Sequence, residues 1–443
     1  MQGLGWAART FLWIGSAAFF AVPAAALDAA AVKAETDAFA AQRYPALFEL
    51  YKGLHANPDL GFQEARTAAK LAKEMRALGF EVTEGVGRTG VVAIYKNGEG
   101  PTVLVRTELD GLPMEEKTGL PYASRAKQTW RGAETFVAHS CGHDIHMTAW
   151  IGTAEALLAM KDKWHGTLMF IAQPNEEQTS QPGGASAMIA DGLFKKWKKP
   201  DLGFALHDWP EAAGTVSYRA GPTSSTADAL EITFTGRGGH GSKPEVTIDP
   251  VVMASRFVND VQTVISREKD PFAFGVVTVG SIQAGSAGNI IPDMALLRGT
   301  VRSFDDGVRE KLLAGIRRTA DGVAAIAGAP KPAIKFEGSG KAMVNDAALT
   351  ARTAAVFKAA FGANASERQP ITASEDYSEF IIAGVPSTYF FIGMDDPKKM
   401  AEAKAKGEPR PNNHSPFFAP VPEPTIKTGV AAMTLAVLNV MAK

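Results

Sequence analysis

Eight histidines and a single cysteine frame the chemistry open to this chain. Three of the histidines flank the cysteine, in His139-Ser140-Cys141-Gly142-His143-Asp144-Ile145-His146. Further on come Asn175-Glu176-Glu177, then His207-Asp208-Trp209-Pro210, then Asn413-His414-Ser415-Pro416. Thiolate, imidazole and carboxylate are the ligand types for zinc and its neighbours. One glycine separates Cys141 from His143. In an extended or turning segment the two side chains aim at one point or bracket two cations. Adjacent glutamates suit two tasks, one as ligand and the other facing the water to be activated. An isolated Glu-Glu pair is ordinarily a solvated helix start, and a lone buried cysteine is ordinarily packing. Coincidence argues otherwise here. Several of these residues fall in loops expected after strands, where α/β folds place active sites. His55 and His165 sit in polar, surface-like contexts and read as structural.

The elements that must position these residues can be read from periodicity. Apolar spacing predicts a helix over 64–78, with Gly79 as its stop. Short apolar runs at 91–95, 102–105 and 167–172 predict buried strands, and 147–160 a helix between the last two. Strands alternating with helices point to an α/β fold with a mixed, mostly parallel sheet and flanking helices. The style changes near Gly221. Residues 230–235 alternate apolar and polar, as a half-exposed antiparallel strand does. Helix 250–265, strands 274–282 and 294–302, helix 306–327 and strand 333–337 follow. That β-α-β-β-α-β order is a ferredoxin-like two-layer unit. Helix 347–361 and strand 387–392 then resume the first style. The expected division is a signal peptide (1–26), a catalytic domain in two parts (27–220 and 339–443) and an inserted domain (221–338).

Composition narrows the functional classes. The chain has 443 residues, 46% hydrophobic and 21% charged, the profile of a globular protein rather than a disordered one. Lys and Arg total 46 against 47 Asp and Glu, for a net charge of -1. Nucleic-acid binders normally carry a basic excess, so that class is disfavoured. Residues 1–26 carry one charge, Arg9, then an apolar stretch from Phe11 to Val22 and Pro23-Ala24-Ala25-Ala26. This is the pattern of a signal peptide cleaved after Ala26, with an uncleaved membrane anchor as the alternative. The expected location is outside the cytoplasm, in a periplasm or secreted, with no membrane contact after cleavage. Past the first few dozen residues no apolar run long enough to span a bilayer is expected.

The ordered set Arg106-Thr107-Glu108-Leu109-Asp110-Gly111-Leu112-Pro113, Cys141-Gly142-His143-Asp144, Glu176-Glu177, His207-x-x-Pro210, Gly238-Gly239-His240-Gly241-Ser242 and Ser374-Glu375-Asp376 resembles the metal-dependent amidohydrolase and carboxypeptidase family. Aminoacylases, hippurate hydrolases and plant auxin-conjugate hydrolases belong to it. The Cys-Gly-His-Asp motif places the resemblance nearest the hippurate and auxin-conjugate branch. It implies a di-zinc-peptidase-like fold with two divalent metal ions, held by Cys141, His143, Glu177, His207 and His414. Glu176 would be the general base, and Asp110 and Asp144 would stand behind the ligands and orient them. His240 would stabilise the oxyanion in the active site of a neighbouring subunit. That implies a homodimer built on the inserted domain, which also serves as a lid. Asn289 and Arg302 would contact substrate, Arg302 by pairing with a carboxylate. Arg106-Thr107-Glu108 stands where the family has Arg-Ala-Asp, and Pro174-Asn175-Glu176-Glu177 where it has Pro-Ala-Glu-Glu. Residues 178–182 are longer and more polar than the family's glycine run. These departures bear on pocket shape and leave the ligand set whole.

The implied activity is hydrolysis of N-acyl amino acids at the amide bond beside a free carboxylate. A metallo-carboxypeptidase or dipeptidase with the same site is the first alternative, and a non-catalytic binding protein on this fold the second. The mixed sulfur, nitrogen and oxygen shell takes zinc or manganese, and also nickel or cobalt. Glu375 and Asp376 either cap a helix or line the site.

Overall fold

The computed structural model describes residues 27–178 and 183–442. The expected signal peptide, and all of the polar stretch 178–182 except Gln178, lie outside the described residues.

The apolar runs assemble into an eight-stranded sheet. Its order is Glu81–Val86, Gly90–Asn97, Gly166–Gln173, Thr102–Glu108, Leu202–Ala212, Ser387–Asp395, Val216–Tyr218, Ala365–Glu367. Thr102–Glu108 is buried along its whole length. It runs parallel to Gly166–Gln173 on one side and to Leu202–Ala212 on the other. A parallel strand covered on both faces has no polar side to alternate with, which is why these segments read as unbroken apolar runs. The edge hairpin Glu81–Val86 and Gly90–Asn97 joins antiparallel, making the sheet mixed as expected.

Helices Ala29–His55, His143–Ala159, Ala347–Phe361 and Pro422–Met441 contribute to one core. Gly184–Ala190 and Ser378–Ile382 contribute to a second, with other residues of the same sheet. Pro422–Met441 corrects the expectation about apolar runs. Its 20 residues are long and apolar enough to cross a membrane by length and composition alone. Yet 83% of its most apolar window is buried inside the protein, where it packs on His143–Ala159 and Ala29–His55. A helix enclosed by core on all sides is apolar all round.

Ala227–Thr235, Pro250–Asp260, Gly275–Ala284, Met294–Ser303, Asp306–Ile326 and Ala333–Gly340 follow in the expected strand-helix order. Their antiparallel sheet runs Gly275–Ala284, Met294–Ser303, Ala227–Thr235, Ala333–Gly340. Leu230, Ile232 and Phe234 point into a separate core with Phe257, Leu297 and Ile316, which accounts for the alternation in the sequence. The helix expected over 250–265 ends at Asp260, and a short π-helical turn, Val264–Glu268, follows. Gly221–Ser224 and Met343–Asn345, which pair with each other, lead into and out of this unit.

Candidate metal centre

The Cys-Gly-His-Asp segment is a helix start rather than an extended run. The helix expected from residue 147 begins at His143. Gly142 makes this possible. Its φ of 86° is left-handed, and a Cβ there would overlap the Asp208 carboxylate. The backbone turns between thiol and imidazole, and both face one point. Glu176 and Glu177 follow the C-terminal end of Gly166–Gln173, and the Glu177 amide donates to Asp110 Oδ2 at 3.0 Å. His207 lies within Leu202–Ala212, and its Nδ1 donates to the Asp208 carbonyl at 2.6 Å, leaving Nε2 free to ligate. His143 does the same through the Asp110 carbonyl, at 2.7 Å. His414 belongs to a distant loop, fastened by its amide to the Ser140 carbonyl at 2.7 Å.

The five expected ligands converge. Ligand atoms of Cys141, His143 and His207 lie within 4.8 Å of one another, and so do those of Cys141, Glu177 and His414. The two groups share the thiol, and each offers the residues that would hold a cation. Cys141 Sγ is 3.4 Å from His207 Nε2, and His414 Nε2 is 3.3 Å from Glu177 Oε2. His143 Nε2 is 3.8 Å from both Glu176 Oε2 and Glu177 Oε1. Tetrahedral bonds of zinc length set neighbouring ligand atoms roughly 3.3–3.6 Å apart, so the spacing suits such an ion. His143 Nε2, Glu177 Oε1, Asp110 Oδ1 and Asp208 Oδ2 are buried with no hydrogen-bond partner. A divalent cation is the group such a set fits.

The electrostatics agree. As protein groups alone, burial and the surrounding carboxylates push the Cys141 thiol well up. Burial would lower His143, but its bond to Asp110 and the nearby carboxylates hold its proton up to about 10. A cation must displace both protons to be bound. The two glutamates are driven apart. Burial, then the charges of Glu375 and Glu177, push Glu176 well above the usual carboxylate range. Burial would raise Glu177 too, but the bond to His414 and the charge of His143 prevail, down to about 2. Neighbouring carboxyls split in this way divide into a proton carrier and a permanent anion.

Other expected residues fall differently. Asp110 braces both His143, through its carbonyl, and Glu177, through Oδ2. Asp144 does not reach the ligands. It turns away to His55 Nδ1 at 2.6 Å, whose Nε2 meets Glu116 at 3.1 Å. His55 is therefore buried (2%), not on a polar surface. Its helix, Ala29–His55, buries that end under Tyr122 and the loop that carries Glu116. His146 Nε2 accepts from the Asp208 amide at 2.8 Å, so its proton is on Nδ1, toward Glu108 at 3.1 Å. Glu375 and Asp376 do both things expected as alternatives. Glu375 lines the cleft, and Asp376 accepts from the Ala185 amide in the first turn of Gly184–Ala190 at 3.1 Å. Beneath them the buried Arg106 guanidinium bonds Glu108, Glu375 and Gln173. Sequence reading missed this bridge, and also Trp209, Tyr389 and Asn413 in the cleft wall. For Trp209 a signal existed, since it is two residues from His207 on one strand and so shares its face.

Arg302 lines the same cleft, half-buried, with Nη1 lacking a partner. His240 and Asn289 do not line it. They stand side by side on the inserted unit, with His240 exposed and the Asn289 carbonyl accepting from Gly241 at 2.8 Å.

Residues 104–439 match Peptidase family M20/M25/M40. The chain belongs to this family. As a member of family M20 it is a metal-dependent hydrolase acting on amide bonds. It is 33% identical to thermostable carboxypeptidase 2 of Saccharolobus solfataricus over 89% of this chain and 95% of the relative. It is 36% identical to hippurate hydrolase of Campylobacter jejuni, over 74% and 82%. Among solved structures it is similar to the Bacillus subtilis YXEP protein, described as a dinuclear metal binding peptidase from the M20 family. There the TM-score is 0.72 and the identity 26%, covering 91% of this chain and 99% of that one.

Proposed function

We propose that this chain hydrolyses the amide bond of N-acyl amino acids, hippurate-like or related, beside a free carboxylate. One observation carries the reading. Four of the five ligands (Cys141, Glu177, His207 and His414), Glu176 and Arg302, whose Nη1 has no partner, line a single cleft of about 360 Å³. When bound, a cation pair supplies Lewis acidity toward the carbonyl and lowers the pKa of water. The relative described as dinuclear supports a pair, and zinc, manganese, nickel and cobalt suit the mixed shell. Glu176 takes a proton from the attacking water and returns it to the departing nitrogen, acting as base and then acid. Its raised pKa suits the second half of that task. Arg302 offers a fork of donors to the substrate carboxylate. His240 and Asn289, exposed on the inserted unit, complete the site of a neighbouring copy in a homodimer. Residues 1–26 export the protein.

Glu176→Ala is expected to abolish turnover of hippurate and N-acetyl amino acids while bound metal, read by elemental analysis, stays. Surviving turnover would remove Glu176 from this role. Arg302→Ala is expected to cost carboxylate substrates far more than the matching carboxamides, and equal losses would refute the pairing. The carboxypeptidase relative favours a second reading, peptide hydrolysis at the same site. Faster turnover of unblocked peptides than of N-acyl amino acids would select it.

A further inference from the structure

Glu64 stands at the start of helix Ala65–Ala77, where a side chain ordinarily caps the first turn, but it makes no capping bond. Asp59 serves there instead, accepting from the Thr67 amide at 3.2 Å and its Oγ1 at 2.9 Å. Glu64 is fully buried (0%) and turned the other way. Its Oε2 accepts from Thr89 Oγ1 at 2.5 Å, and its Oε1 from the Asn175 amide at 2.8 Å. Asn175 directly precedes Glu176 and holds a left-handed φ of 48°. A residue other than glycine persists there only where its surroundings hold it. Three bonds do so. Glu64 takes the Asn175 amide, Gly184 donates to the Asn175 carbonyl at 3.1 Å, and Asp110 takes the Glu177 amide at 3.0 Å. Glu176 therefore hangs between two amides, each fixed by a buried carboxylate.

We propose that Glu64 is a positioning residue for Glu176, acting through the Asn175 amide. The inference rests on Glu176 being the proton carrier. Glu64 touches neither substrate nor ligands. It keeps the turn in the one conformation that aims Glu176 at the cation positions.

Two variants separate geometry from charge in the full-length, metal-loaded protein. Glu64→Gln keeps the length, can accept from Asn175 and can donate to Thr89, but loses the charge. Glu64→Asp keeps the charge and is one methylene too short to span both partners. Turnover of hippurate or N-acetyl amino acids and bound metal are measured beside Glu176→Ala. A misplacement on the scale of 1 Å typically costs up to about 100-fold. Glu64→Asp should therefore lose about 10- to 100-fold in kcat, with KM within about 3-fold and metal content unchanged. Glu64→Gln should stay within about 3-fold of the parent kcat, rescuing the geometry without the charge. An active Asp variant beside an impaired Gln variant would overturn the inference, as would metal loss in step with kcat. An inactive Glu176→Ala with both Glu64 variants unimpaired would overturn the Glu64 role alone. An active Glu176→Ala would overturn the reading beneath it.

Discussion

Replacing Gly142 by alanine tests whether the turn between Cys141 and His143 sets the metal centre. Two separable costs apply. The first is conformational, since φ 86° is left-handed and an L side chain there costs roughly 1–2 kcal/mol. The second is steric, since the new Cβ would overlap the Asp208 carboxylate, and overpacking of this kind costs about 1–3 kcal/mol. Gly79 provides the control. Its φ is 85°, and nothing lies within 4 Å of an added Cβ, so Gly79→Ala carries only the first cost. Denaturant unfolding should show Gly142→Ala losing roughly 2–5 kcal/mol against about 1–2 for Gly79→Ala. Relief of the clash must displace either Asp208 or the first turn of the helix that carries His143. Gly142→Ala should therefore also lose bound metal and most turnover, while Gly79→Ala keeps both. Equal stability losses, or a Gly142→Ala protein with full metal content and activity, would refute the argument.

Three further outcomes are expected. Arg106→Met leaves Glu108, Glu375 and Asp376 buried without their guanidinium. Breaking such a cluster costs about 3–5 kcal/mol, so an unfolding loss under about 1 kcal/mol would contradict the assigned pairing. His55 titrates oppositely to a buried carboxylate pair. Burial alone would lower it, but its bonds to Asp144 and Glu116 hold it at about 10, against ~6.5 unfolded. Its stabilisation is thus complete below ~6.5 and fades toward pH 10, by roughly 1.4 kcal/mol per pH unit. The unfolding free energy of the parent minus that of His55→Gln should narrow across that window, and a constant difference would exclude the charged histidine. Glu176→Ala and His240→Ala proteins, each inactive alone, should regain activity when their subunits are mixed and allowed to exchange. Silence of the mixture would place His240 outside the neighbouring site.

The ligand set was implied by the family resemblance, and local patterning bore on only part of it. Glu177 follows, and His207 occupies, a strand with a clear apolar run, whereas Cys141 precedes the helix His143–Ala159. Alternation likewise revealed the inserted sheet before its partners were known. What escaped were pairings between distant segments, which leave no periodic mark. Arg106 meets Glu375 across 269 residues, and nothing near either residue announces it. His55 looks exposed beside Lys52 and Asn57, yet Glu116 and Asp144 draw it inward. The helix start at His143 was hidden because a glycine there reads as a loop. It takes the carboxylate of Asp208 to show that the glycine is a helix N-terminus.

The enclosed helix Pro422–Met441 also orders events in time. It packs on Ala29–His55 and on the helix that begins at His143, so segments far apart in the sequence close one core. During synthesis that core stays open until Pro422–Met441 clears the ribosome, whereas the inserted unit, with its own core, has all its parts well before. The nascent chain thus carries one finished module and one unfinished one, and the thiol-bearing turn is among the last parts to be sealed.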